Sequence, residues 1–356
     1  MAEKTKSSSQ PSKVLLIGFG GVGTMVSYTL EHLGRAEVTV VSVPETYESI
    51  LAGYNIESLS YGNIERYVPT NVAQSPGEAV EKYGPFEYIV ITTKNIPDVA
   101  PVVDMIKDCY SDDSTIVLIQ NGIGIEIPIY REYPNATIMS GVTIIGTTLY
   151  DNTVKHVQTD TMRFGPYINY NLPREPQIAK CKKFCEMYSN KGNVTEYEED
   201  VKFTRWRKLV YNACINTTCA LADIDAGRAD IYGGMETIIK PAMKEVIAVA
   251  KSEGVTLDDD VIDIMCRGED GVYYPPSMLI DVRRKSYIEH INIIGNVVKY
   301  ANRNGVPIPT LTVLNNLLKL VQLRTMEARG LFTLPEVRPL PEEHYKIEFN
   351  HRREEE

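Results

Sequence analysis

The chain has 356 residues, of which 43% are hydrophobic and 24% are charged, and its formal net charge is −10. This composition is typical of a soluble globular protein, and the length exceeds what one hydrophobic core usually supports, so we expect two domains. The negative charge, without a Lys/Arg cluster interleaved with aromatic residues, argues against a nucleic-acid binder. No apolar run approaches the ~20 residues of a membrane span, so we expect neither nucleic acid nor a membrane as a partner.

The six cysteines form no C-x-x-C pair, and no histidine lies beside them at zinc-ligand spacing. This pattern predicts reduced and mostly buried thiols, no metal site and an intracellular protein. The polar N-terminus lacks the apolar core of a signal peptide, which favours a cytoplasmic location. We expect residues 1–12 to be disordered and residues 331–356 to form a charged tail.

The first domain is expected at residues 13–198, where apolar runs alternate with helical patterns. The run "KVLLI" predicts a buried strand at 13–17, and the next segment predicts a helix that ends near Gly34. Continuous apolar strands alternating with helices indicate an α/β Rossmann-type domain with a doubly wound, mostly parallel sheet. Further strands are predicted at 37–43, 87–93, 114–122 and 136–145, and helices near 77–83 and 99–110.

The pattern changes after Gly146. Residues 153–167 predict an antiparallel hairpin, and a helix and a short strand follow at 175–190 and 193–199. From there on the strand signal is nearly lost, so we expect an all-α C-terminal domain at residues 199–330. Its long helical patterns lie at 201–223, 235–254, 277–305 and 310–330.

The first predicted strand ends in the motif G-x-G-x-x-G, formed by Gly18, Gly20 and Gly23. In such a loop the first glycine permits a tight turn, the second lets the backbone approach a pyrophosphate, and the third lets the helix pack on the strand. The helix N-terminus adds free N–H groups and a positive dipole end. The strand–loop–helix context predicts dinucleotide binding, and a glycine-rich turn without a ligand is the alternative.

The choice between NAD and NADP usually depends on a residue at the end of the second strand. Here that residue is Ser42, so no carboxylate repels a 2′-phosphate and no arginine holds one. Glu45 follows beyond a proline and could still reach a ribose. The missing carboxylate favours NADP as the cofactor, with NAD as the alternative.

Two segments of the second domain carry candidate site residues. Lys208, Asn212 and Asn216 follow at i, i+4 and i+8 on one face of a helix with apolar flanks. Buried side chains of these types must find partners or face a cavity, so a satisfied structural role is the alternative to a site. Ser277 and Glu289 would lie about 18 Å apart in one unbroken helix. If both contact one small substrate, we expect a break near residues 284–286.

Taken in order, these motifs resemble those of the ketopantoate reductases (2-dehydropantoate 2-reductases). The resemblance extends from residue 13 to about residue 322 and implies reduction of 2-dehydropantoate to (R)-pantoate by NADPH, a step of pantothenate biosynthesis. It is carried by "GFGGVG", Lys94 in "ITTKN", "QNGIG", "HVQTDTMRFGP", "RWRKLVYNACIN", "SMLIDV" and "EHINIIG".

The resemblance also implies roles for individual residues. Lys208 would be the general acid that protonates the developing alkoxide, and Glu289 would bind the substrate hydroxyl and orient the site. Ser277 would bind the substrate carboxylate, and further substrate contacts are implied for Asn121, Asn212 and Asn216. For the cofactor the resemblance implies contacts from Lys94 and Asn121. With the glycine motif and the residue after the second strand, the expected cofactor contacts are Gly18, Phe19, Gly20, Gly21, Val22, Gly23, Ser42, Lys94 and Asn121.

Three positions depart from the pattern of the family. Ser42 stands in place of a common arginine, Ala226 in place of an asparagine, and the residues after Glu289 differ. These departures fit a relative that acts on another 2-keto acid, in the manner of the D-2-hydroxyacid (mandelate-type) dehydrogenases. A non-catalytic dinucleotide-binding or regulatory protein is a further alternative, although it would need neither Lys208 nor Glu289. The family includes monomers and dimers, so a homodimer is one expected assembly.

Overall fold

The computed structural model describes residues 10–338, which form two compact units. The first unit comprises the described residues up to 94 together with 102–120 and 125–204. The second comprises 95–101, 121–124 and the described residues from 205 on. Residues 1–9 of the predicted disordered N-terminus and residues 339–356 of the predicted charged tail lie outside the described residues.

The first unit contains a ten-stranded sheet with the order β4-β3-β9-β8-β7-β6-β1-β2-β5, and β10 pairs with β9. The run from β8 through β7, β6, β1 and β2 to β5 is parallel. The strands are β1 Ser12–Ile17, β2 Ala36–Val41, β3 Tyr54–Ser58, β4 Gly62–Tyr67, β5 Asn71–Ala73, β6 Tyr88–Ile91, β7 Thr115–Leu118, β8 Thr137–Tyr150, β9 Thr153–Tyr167 and β10 Val194–Tyr197.

Two apolar cores lie against the sheet. Val14 and Leu16 of β1 belong to one core, whereas Leu15 and Ile17 belong to the other. Successive strand residues point to opposite faces, so a strand buried on both faces must be apolar throughout. The predicted mostly parallel α/β architecture is confirmed. The helices of this unit are α1 Gly21–Glu31, α2 Pro44–Ala52, α3 Pro76–Tyr83, α4 Val102–Ile106, α5 Ile127–Glu132 and α6 Arg174–Tyr188.

The region from 153 to 167 was predicted as a hairpin, and this prediction is wrong. It forms one strand, β9, which pairs with β8 in a long antiparallel ladder. The sequence pattern also missed α2 and strands β3 to β5. In β3 buried and exposed residues alternate and β4 is mostly exposed, so neither presents the continuous apolar run that identified the central strands.

Strand β1 lies at a topological switch point of the sheet. Strands β2 and β5 lie on one side of it, and β6, β7 and β8 lie on the other. In open α/β sheets, ligands bind beyond the carboxyl ends of the strands at such a point. Gly18 follows β1 at this edge, and residues 92–94 follow β6.

The second unit is helical, and from residue 205 to residue 338 it has no strand, which confirms the predicted all-α region. It contains α7 Val201–Tyr211 (whose first turn belongs to the first unit), α8 Thr217–Ala222, α9 Ala226–Ile231, α10 Lys240–Ser252, α11 Val261–Arg267, α12 Ser277–Arg283, α13 Asn296–Asn304 and α14 Pro309–Ala328. Three π-helical segments interrupt them, at Asn212–Asn216, Met235–Ile239 and Ile291–Gly295.

The segment 277–305 was predicted as a helix with a conditional break, and the break is present. Helix α12 ends at Arg283, and Lys285 adopts a φ of +54° in the turn that follows. All six cysteines are free thiols, five of them buried and Cys266 partly exposed, as predicted. Across residues 10–338, every helix is too short or too polar to cross a lipid bilayer.

Candidate active site

Glycines shape the loop between β1 and α1 in the first unit. Gly18 has a φ of +103°, a conformation that favours glycine, and a Cβ there would lie 2.7 Å from the backbone N of Thr93. A Cβ on Gly23 would lie 2.0 Å from the Gly18 carbonyl oxygen, so only glycine lets α1 pack this closely on the loop. A Cβ on Gly20, in contrast, would meet no atom within 4 Å.

This loop fits the pyrophosphate of a dinucleotide. Gly20 is the N-cap of α1, and no side chain caps the helix, so its first-turn N–H groups can bind an anion. The hydroxyl of Thr92 donates a 2.7 Å hydrogen bond to the Gly18 carbonyl and fixes the turn. Phe19 packs against Tyr54 with a ring-centroid distance of 5.3 Å, so its side chain supports the loop from the core.

Other predicted cofactor residues lie around the same loop or at the same edge of the sheet. Val22 is half-buried on α1, and a Cβ on Gly21 would lie 3.0 Å from the Thr147 hydroxyl. Ser42 follows β2 and is buried, and its hydroxyl has no hydrogen-bond partner among the described residues. Lys94 follows β6 and is exposed.

Lys208, Asn121 and Glu289 come together in the second unit. Lys208 Nζ donates to Asn121 Oδ1 at 2.9 Å, and Asn121 Nδ2 lies 3.4 Å from Glu289 Oε2. An ammonium group only donates and a carboxylate only accepts, so one orientation of the amide serves both neighbours. Asn121 therefore fixes the lysine and the glutamate relative to each other.

The carboxylate of Glu289 is buried and is also held by the backbone. The N–H of Asn95 donates to Glu289 Oε1 at 3.0 Å, and the Asn292 side chain donates to the Asn95 carbonyl at 3.2 Å. A buried carboxylate needs such partners to offset its lost hydration. Sequence reasoning missed Asn95, although it stands just beyond β6 as Asn121 stands beyond β7, a position typical of ligand-binding residues.

Segment 121–124 is embedded among residues of the helical unit. Gly122 has a φ of +99°, and a Cβ there would lie 2.4 Å from the Asn292 carbonyl oxygen. The buried Arg205 donates to the Gly122 carbonyl at 2.9 Å, and the Ile123 N–H donates to the Asn292 carbonyl at 2.9 Å. These contacts hold Asn121 in place beside Lys208.

The two predicted asparagines lie on a π-helical segment directly after α7. Both are buried, and Asn216 Nδ2 donates to Asn212 Oδ1 at 3.1 Å. Asn216 Oδ1 has no hydrogen-bond partner in the described part of the chain, so it can still accept one. This segment packs against the π-helical segment that follows Glu289. Such segments are rare and frequently occur at functional sites.

Ser277 is the remaining predicted substrate residue. It is the first residue of α12, and this helix packs against α8 and against the π-helical segment of Asn212 and Asn216. Its side chain is partly exposed. The break after Arg283 separates α12 from the chain that carries Glu289, so the two residues do not share one straight helix.

The candidate site combines a cationic hydrogen-bond donor (Lys208), a buried carboxylate (Glu289) and the side-chain amides of several asparagines. A cysteine nucleophile is a poor alternative, because burial raises the pKa of Cys214, which lies between the two asparagines, well above its usual value. Lys208 can place a positive charge and a proton on a substrate oxygen, and Glu289 can accept a hydrogen bond from a substrate hydroxyl.

Models of known protein families match most of the chain and identify its family. Residues 14–169 match the model of ketopantoate reductase PanE/ApbA, and residues 200–322 match the model of the C-terminal domain of ketopantoate reductase PanE/ApbA. This chain belongs to the ketopantoate reductase family. The resemblance found in the sequence motifs is thereby confirmed, and it makes the chain a member of an oxidoreductase family.

Two relatives show how far the chain has diverged within the ketopantoate reductase family. An uncharacterized protein of Saccharomyces cerevisiae is 35% identical, and the match covers 91% of this chain and 98% of that protein. The 2-dehydropantoate 2-reductase of Halobacterium salinarum is 22% identical over 87% of this chain and 99% of its own length.

Solved structures show the same fold. The 2-dehydropantoate 2-reductase from Methylococcus capsulatus is 28% identical with a TM-score of 0.74, over 88% of this chain and 97% of that chain. A D-mandelate dehydrogenase with NADH and anilino(oxo)acetate has a TM-score of 0.75 at 20% identity, over 88% of this chain and 99% of that chain. At that identity the second likeness concerns the fold alone.

Proposed function

We propose that this protein is an NAD(P)H-dependent reductase of a 2-keto acid, with 2-dehydropantoate as the first substrate to test. The observation that carries the proposal is the hydrogen-bonded set in which Asn121 joins Lys208 to Glu289. A positioned ammonium group beside a buried carboxylate suits the reduction of a carbonyl. If 2-dehydropantoate is the substrate, the enzyme acts in pantothenate biosynthesis, for which we propose a cytoplasmic location and a homodimer as the assembly to test.

Lys208 is the proposed general acid. Hydride attack on the keto carbon places negative charge on the keto oxygen, and a nearby ammonium group both stabilises that charge and donates the proton. The dinucleotide, when bound at the glycine loop, supplies the hydride. The 2.9 Å hydrogen bond to Asn121 Oδ1 restricts the Lys208 ammonium to fewer orientations, so less entropy is lost when it is positioned for proton transfer.

The remaining residues orient the substrate. Glu289 accepts a hydrogen bond from a substrate hydroxyl, and the Ser277 hydroxyl donates one to the substrate carboxylate. Asn212 and Asn216 offer further contacts, and the acceptor on Asn216 Oδ1 suits a substrate donor.

For the coenzyme we propose NADPH first and NADH as the alternative. Gly18, Gly20 and Gly23 would hold the pyrophosphate, which the two coenzymes share. Ser42 brings no carboxylate that would repel a 2′-phosphate, and the exposed Lys94 offers a positive charge to a phosphate group.

Ala226 favours a second candidate, a dehydrogenase of a different 2-hydroxy acid. Its methyl group stands where the family pattern has an asparagine, so one polar substrate contact is missing. A non-catalytic dinucleotide-binding protein is less consistent with the site, because binding alone needs no ammonium held beside a buried carboxylate.

A steady-state assay of 2-keto acids with NADPH and NADH side by side tests the proposal. We expect at least one 2-keto acid to accelerate coenzyme oxidation, and NADPH to give the higher kcat/KM. A protein that binds either coenzyme but reduces no 2-keto acid in the panel would contradict the proposed function.

A further inference from the structure

Glu289 lies in a stretch of irregular backbone that is held by the side chain of Gln322. Residues 286–289 belong to no helix or strand, so the backbone there needs hydrogen-bond partners from other segments. The N–H of Ile288, the residue directly before Glu289, donates to Gln322 Oε1 at 3.0 Å. This hydrogen bond fixes the backbone at the base of the Glu289 side chain.

The same amide also fixes the segment that binds the Glu289 carboxylate. Gln322 Nε2 donates to Asp98 Oδ2 at 2.9 Å, and in the described part of the chain Asp98 Oδ1 has no hydrogen-bond partner. Asp98 lies in a tight turn that is closed by hydrogen bonds to the carbonyl of Ile96. This turn directly follows Asn95, whose N–H donates to Glu289 Oε1 at 3.0 Å. Gln322 therefore holds the turn beside the group that binds the carboxylate.

Together these hydrogen bonds form a closed ring within the second unit. The ring runs from Gln322 through the backbone of residues 288–289 to the Glu289 carboxylate, then to the Asn95 N–H, and along the turn to Asp98 and back to Gln322. A backbone N–H only donates and a carboxylate only accepts, so one orientation of the Gln322 amide serves both of its partners. Gln322 is 1% exposed on α14, so water cannot replace these partners. The ring restricts where the Glu289 carboxylate can lie.

We propose that Gln322 and Asp98 are positioning residues, which hold the Glu289 carboxylate where it accepts a hydrogen bond from the substrate hydroxyl. The inference rests on the proposed function, in which Glu289 binds that hydroxyl. An acceptor that is already in place loses less conformational entropy on binding than one that must be ordered by the substrate. A displaced Glu289 carboxylate should therefore impair a substrate that has the hydroxyl more than one that lacks it. A merely structural role of Gln322 would affect both substrates alike.

The test compares two acids that differ in one hydroxyl group, with the preferred coenzyme. 2-Dehydropantoate has this hydroxyl and 3,3-dimethyl-2-oxobutanoate lacks it, while the rest of the two molecules is the same. For the wild type we expect kcat/KM to be higher with the hydroxyl by about tenfold or more, because the Glu289 carboxylate otherwise loses a partner in the complex. Gln322→Met removes both hydrogen bonds of the amide at similar volume, and it should lower this ratio of kcat/KM values about threefold to tenfold.

Further variants show whether Gln322 acts through its hydrogen bonds and through Glu289. The double variant Gln322→Glu/Asp98→Asn keeps both hydrogen bonds and reverses the direction of one, so its ratio should lie within about twofold of the wild type. In Glu289→Ala, which has no carboxylate to position, adding Gln322→Met should leave the ratio unchanged. Asp98→Ala opens the ring at the partly exposed turn, and it should lower the ratio even if Gln322→Met folds poorly.

Two substitutions on α14 serve as matched controls. Asn316→Met replaces an exposed amide of the same helix. Thr325→Val removes the hydrogen bond of a buried hydroxyl, which donates to the Val321 carbonyl at 3.0 Å, and so controls for a general loss of stability. Both variants should keep the wild-type ratio of the two kcat/KM values.

The outcomes distinguish this inference from the proposed function. If Gln322→Met lowers kcat/KM for both acids by the same factor, or still lowers the ratio in Glu289→Ala, the positioning role is overturned and the reductase function stands. The same holds if the wild type uses the two acids equally well, or uses neither while it reduces another 2-keto acid. If no 2-keto acid oxidises the coenzyme, both proposals fall.

Discussion

The glycine loop of the first unit and the lysine cluster of the second are built on opposite principles. The loop depends on missing side chains, because a Cβ on Gly23 would lie 2.0 Å from a backbone oxygen. The cluster depends on side chains that arrive from distant parts of the chain, with Asn121 between Lys208 and Glu289. The comparison teaches that adding one methyl group should disable the first site, whereas removing polar atoms should disable the second.

The largest effect is expected at Gly23. Gly23→Ala forces α1 away from the loop, and we expect the free energy of unfolding to fall by about 3 kcal/mol or more, because overpacking against backbone is poorly relieved. Urea denaturation measures this change. The matched variant is Gly20→Ala, whose Cβ meets no atom within 4 Å.

Gly20→Ala should leave the free energy of unfolding unchanged and weaken coenzyme binding, since the second glycine admits the pyrophosphate. If Gly23→Ala is as stable as the wild type, the close packing of α1 on the loop does not require glycine at position 23. If Gly20→Ala binds NADPH normally, the loop is not the pyrophosphate site.

The next effect concerns the amide of Asn121. Asn121→Ala removes a hydrogen bond from each of two charged groups, so we expect kcat to fall about tenfold to a hundredfold, a larger factor than the loss of coenzyme affinity that its implied cofactor contact would cause. Steady-state kinetics and a coenzyme titration measure the two quantities. Asn302→Ala, on the exposed face of α13, is the matched control. An Asn121→Ala enzyme with wild-type kcat would show that the amide does not position Lys208.

The architecture of the first unit was predictable because the patterns that indicate its central strands and glycine loop lie within short stretches of sequence. A strand such as β1 is buried on both faces and is therefore apolar at every position, and the glycines of the loop adjoin it. Strands β3 and β4 escaped prediction because their polar, exposed positions interrupt the apolar pattern. Helical periodicity likewise indicated the helices of the second unit but not the π-helical segments.

The candidate site was only partly predictable because it is formed by tertiary contacts. Lys208, Asn212 and Asn216 shared a recognisable spacing and Glu289 stood out with Ser277 in a second helical segment, whereas Asn121 was identified as a site residue only through a family motif. Asn95 acts through its backbone N–H, which any residue type except proline would supply. The break after α12 was inferable, since Ser277 and Glu289 could not otherwise contact one small substrate.

A smaller effect is expected on the stability of the first unit, whose free energy of unfolding should depend on pH through one buried histidine. His156 is buried on β9, where Ser58 Oγ lies 2.8 Å from its Nδ1, and burial lowers the pKa of this histidine. As the pH falls below the usual histidine pKa of about 6.5, the imidazole of His156 becomes protonated in the unfolded chain before it does in the folded chain. The free energy of unfolding should therefore fall as the pH decreases from 7 to 5.

We expect His156→Asn to show a flatter dependence on pH than the wild type over that range in urea denaturation. The exposed His32 provides the control His32→Asn, which should retain the wild-type slope. Equal slopes for wild type and His156→Asn would contradict the assignment of this pH dependence to His156.

The central claim is that Lys208 acts as the general acid. The most direct measurement is kcat of Lys208→Ala with the best 2-keto acid, together with coenzyme affinity by titration and the exposed Lys202→Ala as control. The account predicts that kcat falls about 10²–10⁴-fold for Lys208→Ala, that coenzyme affinity is unchanged, and that Lys202→Ala behaves as wild type. A Lys208→Ala enzyme that retains kcat within threefold of the wild type would contradict it.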